Sequence, residues 1–240
     1  MTLKALISAM TPARFHKIKS VLQHRQTSLT IVTDSVHKTQ NLSALLRTAD
    51  AVGLDTVHVA LADRDQYQLH RRTSGGAGEW VDVVLHEQTT QAISTLKNSG
   101  FTICAAHFSD QATNYYEYDF CQPTAIVLGA EKPGISTEVA HLADHHLIIP
   151  MFGMVESYNV SVAAAIILSE AMRQRVENEF YNQNQMTQPA FDRKLFRWCY
   201  PKLADLCDSN NISYPSLDEN GGIIYSEQWT QNVKAINQRE

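Results

Sequence analysis

Residues 124–150 read TAIVLGAEKPGISTEVAHLADHHLIIP, and the order of patterns within them decides the fold. TAIVLG (124–129) is a continuous apolar run of strand length. A glycine-flanked polar loop follows, then a helix expected over 135–144, then a second apolar run, HLIIPM at 146–151. A strand that is apolar at every position has no solvent face and belongs in a sheet covered on both sides. Upstream the pattern repeats. LTIVT (29–33) leads through a polar loop into a helix over 41–52 that is closed by Gly53, and further strands are expected at 56–61, 81–86 and 101–107, with a helix near 88–98. Alternation of strand and helix gives an α/β fold: a mostly parallel sheet with helices on both faces.

Outward from this domain the pattern changes. Pro12 suits the first turn of a helix reaching Gln26, with Phe15, Ile18 and Leu22 on its apolar side. After an apolar helix over 158–180 comes a polar break, then a last helix over 190–209 and a turn at Asn220-Gly221-Gly222. The expected organisation is a basic helical extension at 1–27, an α/β domain at 28–180 and a helical extension at 181–240.

The chain of 240 residues is 44% hydrophobic and 19% charged, which is enough to bury a core and too little charge for a disordered chain. No apolar run reaches membrane-span length, no signal-peptide pattern opens the chain, and Cys104, Cys121, Cys199 and Cys207 form no CxxC pair. A cytoplasmic protein with reduced thiols is expected. The net charge of −5 speaks against a nonspecific nucleic-acid binder, yet residues 1–47 carry seven Lys or Arg against Asp34 alone. That balance of 7 − 1 = +6 leaves −11 for the remainder. A basic face for a polyanion and a solvated helix side explain it equally well.

Ligands of open α/β sheets bind beyond the carboxyl ends of strands. Three loops there hold unusual residues: 37–41, 129–134 and 150–159. Arg47 lies on its helix nearly opposite the stripe of Leu42, Leu45, Leu46, Ala49 and Val52, which by itself describes a solvated arginine. Asn41, Ser157 and Asn159 are each placed to cap a helix, and Glu131 has the surroundings of a surface acid. The run VSVAAAIIL (160–168) is apolar all round, so its helix is expected to be buried on every side, in the protein or in a dimer. There is no GxGxxG after the first strand, no P-loop and no GxSxG elbow. His141 and His145, with Glu138, stand at metal-ligand spacing but lack a further His or Cys placed by sequence, and no metal is expected.

Taken together and in order, NLSALLRTADAVG (41–53), IVLGAEKPG (126–134) and IPMFGMVESYNVSVAAA (149–165) resemble the three motifs of the SpoU/TrmH family of RNA ribose 2′-O-methyltransferases, in the SPOUT class. The resemblance covers about residues 11–230. Two positions depart from the family pattern: Thr39-Gln40 stands where Pro-His is usual, and Tyr158 where Leu is usual. The resemblance implies a sheet whose C-terminal part is tied in a trefoil knot, S-adenosyl-L-methionine held in the knot, and a homodimer into which the helix 158–180 packs. It implies catalytic roles for Arg47, Asn41, Glu131, Ser157 and Asn159, and cofactor contacts at Ala106, Gly129, Ile149 and Tyr158. A side chain at 129 would then fill space that the ligand needs.

The extensions suggest the substrate. The tail FDRKLFRWCYPKLADLC (191–207) interleaves cations with aromatics, which suits RNA, although some of these rings must serve as core. Arg14, Lys17, Arg71, Arg72, Lys132, Arg193, Lys194 and Arg197 are the candidate RNA contacts. With both extensions present, the chain looks like the family's tRNA enzymes that methylate the D-loop guanosine at position 18. An rRNA ribose methyltransferase, or a non-catalytic RNA-binding module on the same fold, are the alternatives.

Overall fold

The structure is a computed structural model and describes residues 10–61, 77–130, 133–227 and 229–231. Two compact units are present: the described part of 25–183, and the described parts of 1–24 and 184–240 together.

In chain order the first elements are α1 (Pro12–Gln23), β1 (Leu29–Asp34), α2 (Thr39–Ala51), β2 (Thr56–Ala60), β3 (Asp82–His86) and α3 (Thr89–Asn98). Then come β4 (Thr102–Ala106), β5 (Thr113–Asn114), β6 (Thr124–Gly129), α4 (Thr137–Leu142), β7 (His145–Ile148) and α5 (Val160–Glu177). The chain ends with α6 (Gln188–Cys199), α7 (Pro201–Ser209), β8 (Ser216–Leu217) and β9 (Ile223–Ile224).

The larger unit is built on one seven-stranded sheet in the order β3-β2-β1-β6-β4-β7-β5, parallel at every pairing. Its alternate residues feed two cores. Ile31, Ile126 and Leu128 face Leu42, Leu45 and Leu46 of α2 and Ala164, Ile167 and Leu168 of α5. Val32, Ala125 and Val127 face Ala92, Ile93 and Leu96 of α3 and Val139 of α4. This two-sided burial is why β1 and β6 read as unbroken apolar runs.

Several expectations need adjustment. The helix expected from Asn41 begins at Thr39, so Asn41 lies inside its first turn and Lys38 takes the cap position. The helix expected over 190–209 is two helices, because Tyr200 leaves helical geometry and Pro201 starts the next one. The short strand β5 has no sequence signal of its own. Helix α5 is buried on one side only: Ala164, Ile167 and Leu168 are fully enclosed, whereas Val162 is 46% and Val176 56% exposed. Arg25, counted above in a basic face, is fully buried. Its guanidinium binds the Asp50 carboxylate and donates to the Leu54 carbonyl oxygen at 2.8 Å.

In the smaller unit α1 packs on α6, with Phe15, Ile18 and Leu22 turned inward and Phe191, Leu195 and Phe196 buried opposite. The Asn220-Gly221-Gly222 turn closes onto this pair. Gly221 has φ +85°, a Cβ there would lie 2.6 Å from the Phe15 ring, and its carbonyl accepts from Tyr200 Oη at 2.7 Å. Only glycine fits that position. Among the described residues no helix is long and apolar enough to cross a membrane.

Candidate active site

The carboxyl ends of β1, β6, β4 and β7 lie side by side. Gly129 pairs with Asp34, and Ala106 pairs with Leu147, so Gly129 and Ala106 end neighbouring strands and Ile149 follows the end of β7 on the same side of the sheet. All three are half-buried. Small or aliphatic side chains with accessible backbone suit a flat aromatic base held by main-chain hydrogen bonds, so these residues fit an adenosyl ligand.

The loop leaving Gly129 folds back on itself. Gly134 N–H donates to the Ala130 carbonyl at 2.9 Å, and Gly134 takes φ +68°. A Cβ on Gly129 would lie 2.2 Å from the carbonyl carbon of Gly134. Glycine at 129 is therefore required by the loop's own backbone. A side chain there would break the loop, a reason separate from the space that a ligand needs. Glu131 and Lys132 lie outside the described residues, as do Arg71 and Arg72.

Asp34 ends β1 beneath this loop. It is buried, and its two carboxylate oxygens accept from Thr89 Oγ1 at 2.7 Å and from Ser136 N–H at 2.8 Å. Sequence reading passed it over, because nothing in the sequence places Thr89 or Ser136 beside it.

The first and third motifs meet at the start of α5. Asn159 caps that helix by accepting from Ser161 N–H at 2.9 Å, and its Nδ2 donates to Asn41 Oδ1 at 3.1 Å. Ser161 Oγ donates to the Asn41 carbonyl at 3.1 Å, a contact between residues 120 apart that has no local signal. The capping role thus holds for Asn159 and not for Asn41. Ser157 and Tyr158 precede the cap on an exposed loop, and Tyr158 is 40% exposed. Arg47 is exposed and makes no hydrogen bond or ion pair with another described residue. It sits one turn beyond Ala44, which with Thr48, Val162, Ala165 and Ile166 lines an open groove between α2 and α5. Beside Ala106, the rings of His107 and His146 lie 5.6 Å apart, and burial together with its histidine neighbours lowers the His146 pKa.

The candidate RNA contacts divide. Arg14 and Lys17 are exposed on α1. Lys194 Nζ stands 5.8 Å from the centre of the Trp198 ring. Arg193 and Arg197, read from sequence as RNA contacts, are both ion-paired within the unit. Arg193 binds Asp208 at 2.7 Å and lies over the Tyr214 ring, and Arg197 binds Asp205 at 2.9 Å and also Asp208. Among the described residues no cluster of three or more metal-binding side chains occurs.

The model of the SpoU rRNA methylase family matches residues 28–169, and that of the SpoU rRNA methylase C-terminal region matches 173–226. The chain belongs to the SpoU methylase family. Among its relatives is a tRNA (guanosine(18)-2′-O)-methyltransferase of Escherichia coli, 40% identical over 228 residues that make up 94% of this chain and 99% of the relative. The crystal structure of the Aquifex aeolicus TrmH/SpoU tRNA modifying enzyme superposes with a TM-score of 0.74 at 34% identity, covering 80% of this chain and 97% of that one. The SpoU methyltransferase AviRb of Streptomyces viridochromogenes, in complex with the cofactor AdoMet, superposes with a TM-score of 0.57 at 25% identity, covering 65% and 62%. These SpoU neighbours give the chain the SPOUT fold.

Proposed function

We propose that this chain methylates the ribose 2′-hydroxyl of guanosine 18 in tRNA, using S-adenosyl-L-methionine, as a cytoplasmic homodimer. The observation that carries the choice of substrate is the extent of the likeness. The E. coli tRNA enzyme matches 94% of the chain and so includes the smaller unit, whereas the match to AviRb stops at 65%.

When bound, S-adenosyl-L-methionine supplies an electrophilic methyl group on a sulfonium centre. Backbone groups of Ala106, Gly129 and Ile149 by the strand ends, with that of Tyr158 in the loop before α5, would hold it. The chain's own work is to orient and activate the ribose oxygen. Arg47 acts as a cation: a guanidinium is not deprotonated in proteins, so its part is to bind an RNA phosphate and stabilise charge developing on the 2′-oxygen. Asn41 and Asn159, locked to each other, fix the wall against which the ribose lies. Ser157 helps to order the ribose, Glu131 has the supporting role at the cofactor and RNA site that the family motif implies, and Arg14, Lys17, Lys132 and Lys194 meet the tRNA backbone together with Arg71 and Arg72. Arg193 and Arg197 serve first to join α6 to α7.

The test is incubation of the purified protein with S-adenosyl-L-methionine and an unmodified tRNA transcript, followed by nuclease mapping and mass spectrometry. A single 2′-O-methylguanosine at position 18 is expected. Methylation of rRNA and not of tRNA would replace this reading with the ribosomal one.

Dimerisation is inferred from the groove between α2 and α5 and the apolar residues along its open side. A second copy covering Val162, Ala165 and Ile166 would complete the burial that the apolar sequence of α5 calls for. Ala165→Glu should give a folded monomer by light scattering, since residue 165 is exposed in the single chain. Ala164→Glu should unfold the chain instead, because Ala164 lies in the core. A wild-type monomer at micromolar concentration would refute the dimer.

A further inference from the structure

We propose that Asp34 is a positioning residue for cofactor binding: its buried carboxylate pins the exit of the 129–136 loop to the end of β1 and so sets the shape of the cofactor site. The inference rests on the placement of S-adenosyl-L-methionine at that loop.

The loop is anchored at two points. At its entrance Gly129 is the last residue of β6, directly beside Asp34 in the sheet, and it has no side chain because the backbone of Gly134 and Ile135 occupies that space. At its exit Ser136 caps α4, and its N–H points at Asp34 Oδ2 across 2.8 Å. The other oxygen, Oδ1, takes the hydroxyl of Thr89, the first residue of α3, at 2.7 Å. One carboxylate thus ties a strand end, a helix start and the loop exit together. Asp34 is 4% exposed and Thr89 7%, so water does not compete with either bond. Immediately after Asp34 the chain turns sharply at Ser35, a non-glycine residue at φ +58°. The carboxylate is therefore held to a fixed direction by the strand before it and the turn after it. Backbone groups can recognise a ligand only if their loop has one conformation, and a loop closed on a neighbouring strand by a charge-assisted hydrogen bond has fewer to choose from. Asp34 touches neither the cofactor nor the reacting atoms in this account. It acts through the loop.

The experiment compares cofactor affinity by calorimetry and steady-state kinetics for wild type, Asp34→Ala, Asp34→Asn, Ser136→Pro and Thr89→Val. Asp34→Ala removes both bonds and should raise the Kd for S-adenosyl-L-methionine about tenfold or more, the scale of one charge-assisted hydrogen bond. Turnover at saturating cofactor should change far less, a split that general loss of folded protein does not produce. Asp34→Asn should rescue affinity, since an amide can accept from Ser136 N–H and donate to Thr89 Oγ1. Ser136 has φ −63°, which proline shares; Ser136→Pro deletes the N–H on the loop side together with the hydroxyl and sets Cδ against Asp34 Oδ2, so it should weaken binding as Asp34→Ala does, even where the latter folds poorly. Thr89→Val breaks only the helix-side bond and should bind like wild type. Wild-type affinity in both Asp34→Ala and Ser136→Pro would overturn the inference and leave the cofactor assignment standing. No binding by folded wild type would overturn both.

Discussion

Replacing Arg47 with alanine should lower methylation of tRNA by a factor of about a hundred or more while leaving fold and cofactor affinity nearly intact. Leu42, Leu45, Leu46 and Ala49 are fully buried, and Arg47 points away from them into solvent. No described residue pairs with it, so nothing in the single chain loses a partner when it is cut back. What is lost is a planar cation at the edge of the groove between α2 and α5. A hundredfold loss corresponds to about 2.7 kcal/mol of transition-state stabilisation, within the range of one well-placed charged donor. Arg47→Lys should not recover the activity, because a compact ammonium cannot present two parallel donors to a phosphate or an alkoxide. The measurement is single-turnover methylation of a tRNA transcript, with cofactor affinity followed by calorimetry. Normal turnover in Arg47→Ala would remove Arg47 from the mechanism.

How much of this was legible depended on whether a signal was local. The two-sided sheet was legible because burial on both faces writes itself into β1 and β6 as unbroken apolar runs. The strand-end position of the site followed from the sheet. Helix α5 marks where that legibility ends. An apolar run carries no mark of which neighbour covers each side, so burial by the fold at Ala164 and exposure at Val162 looked alike. The arginines show the same limit with more force. Arg25, Arg47 and Arg197 are one residue type in similar sequence surroundings, yet only Arg47 is free among the described residues. What separates them is a carboxylate on another element, Asp50 for Arg25 and Asp205 and Asp208 for Arg197, which only the packing of helices brings into reach. Asp34 was missed for the same reason, since Ser136 lies about a hundred residues away in sequence and only the sheet brings them together. Pro201, by contrast, was a local signal that should have divided the last helix.

The largest effect on stability is expected at Arg175, a fully buried cation near the end of α5. Its Nε donates to the Phe120 carbonyl at 2.9 Å, Nη1 to Gln26 Oε1 at 3.1 Å and Ser28 Oγ at 3.0 Å, and Nη2 to the carbonyls of Ser28 at 3.0 Å and Gln122 at 3.2 Å. One side chain thus gathers the segments that lead into β1 and β6, the two strands at the centre of the sheet. Burial lowers its pKa, so the cation is held there by these acceptors at the expense of its hydration. Arg175→Met keeps much of the apolar volume and relieves the desolvation of the charge, which offsets part of the loss. The acceptors do not share equally in what remains. The Ser28 and Gln122 carbonyls keep a second donor in Thr124, through its N–H at 2.9 Å and its hydroxyl at 2.9 Å. The Phe120 carbonyl has no other hydrogen-bond donor among the described residues. Losing several charge-assisted bonds, each contributing about 1.5–3 kcal/mol, against partial relief of desolvation should leave a net destabilisation of about 3–5 kcal/mol. That is a large part of the net stability of an ordinary domain, roughly 5–15 kcal/mol. Arg175→Lys keeps the charge without the fork that spans three carbonyls, and should fall between Met and wild type. Urea unfolding followed by circular dichroism measures the difference. A midpoint for Arg175→Met equal to that of wild type would mean that relief from burying the charge cancels the loss of its hydrogen bonds, and that β1 and β6 hold their register without Arg175.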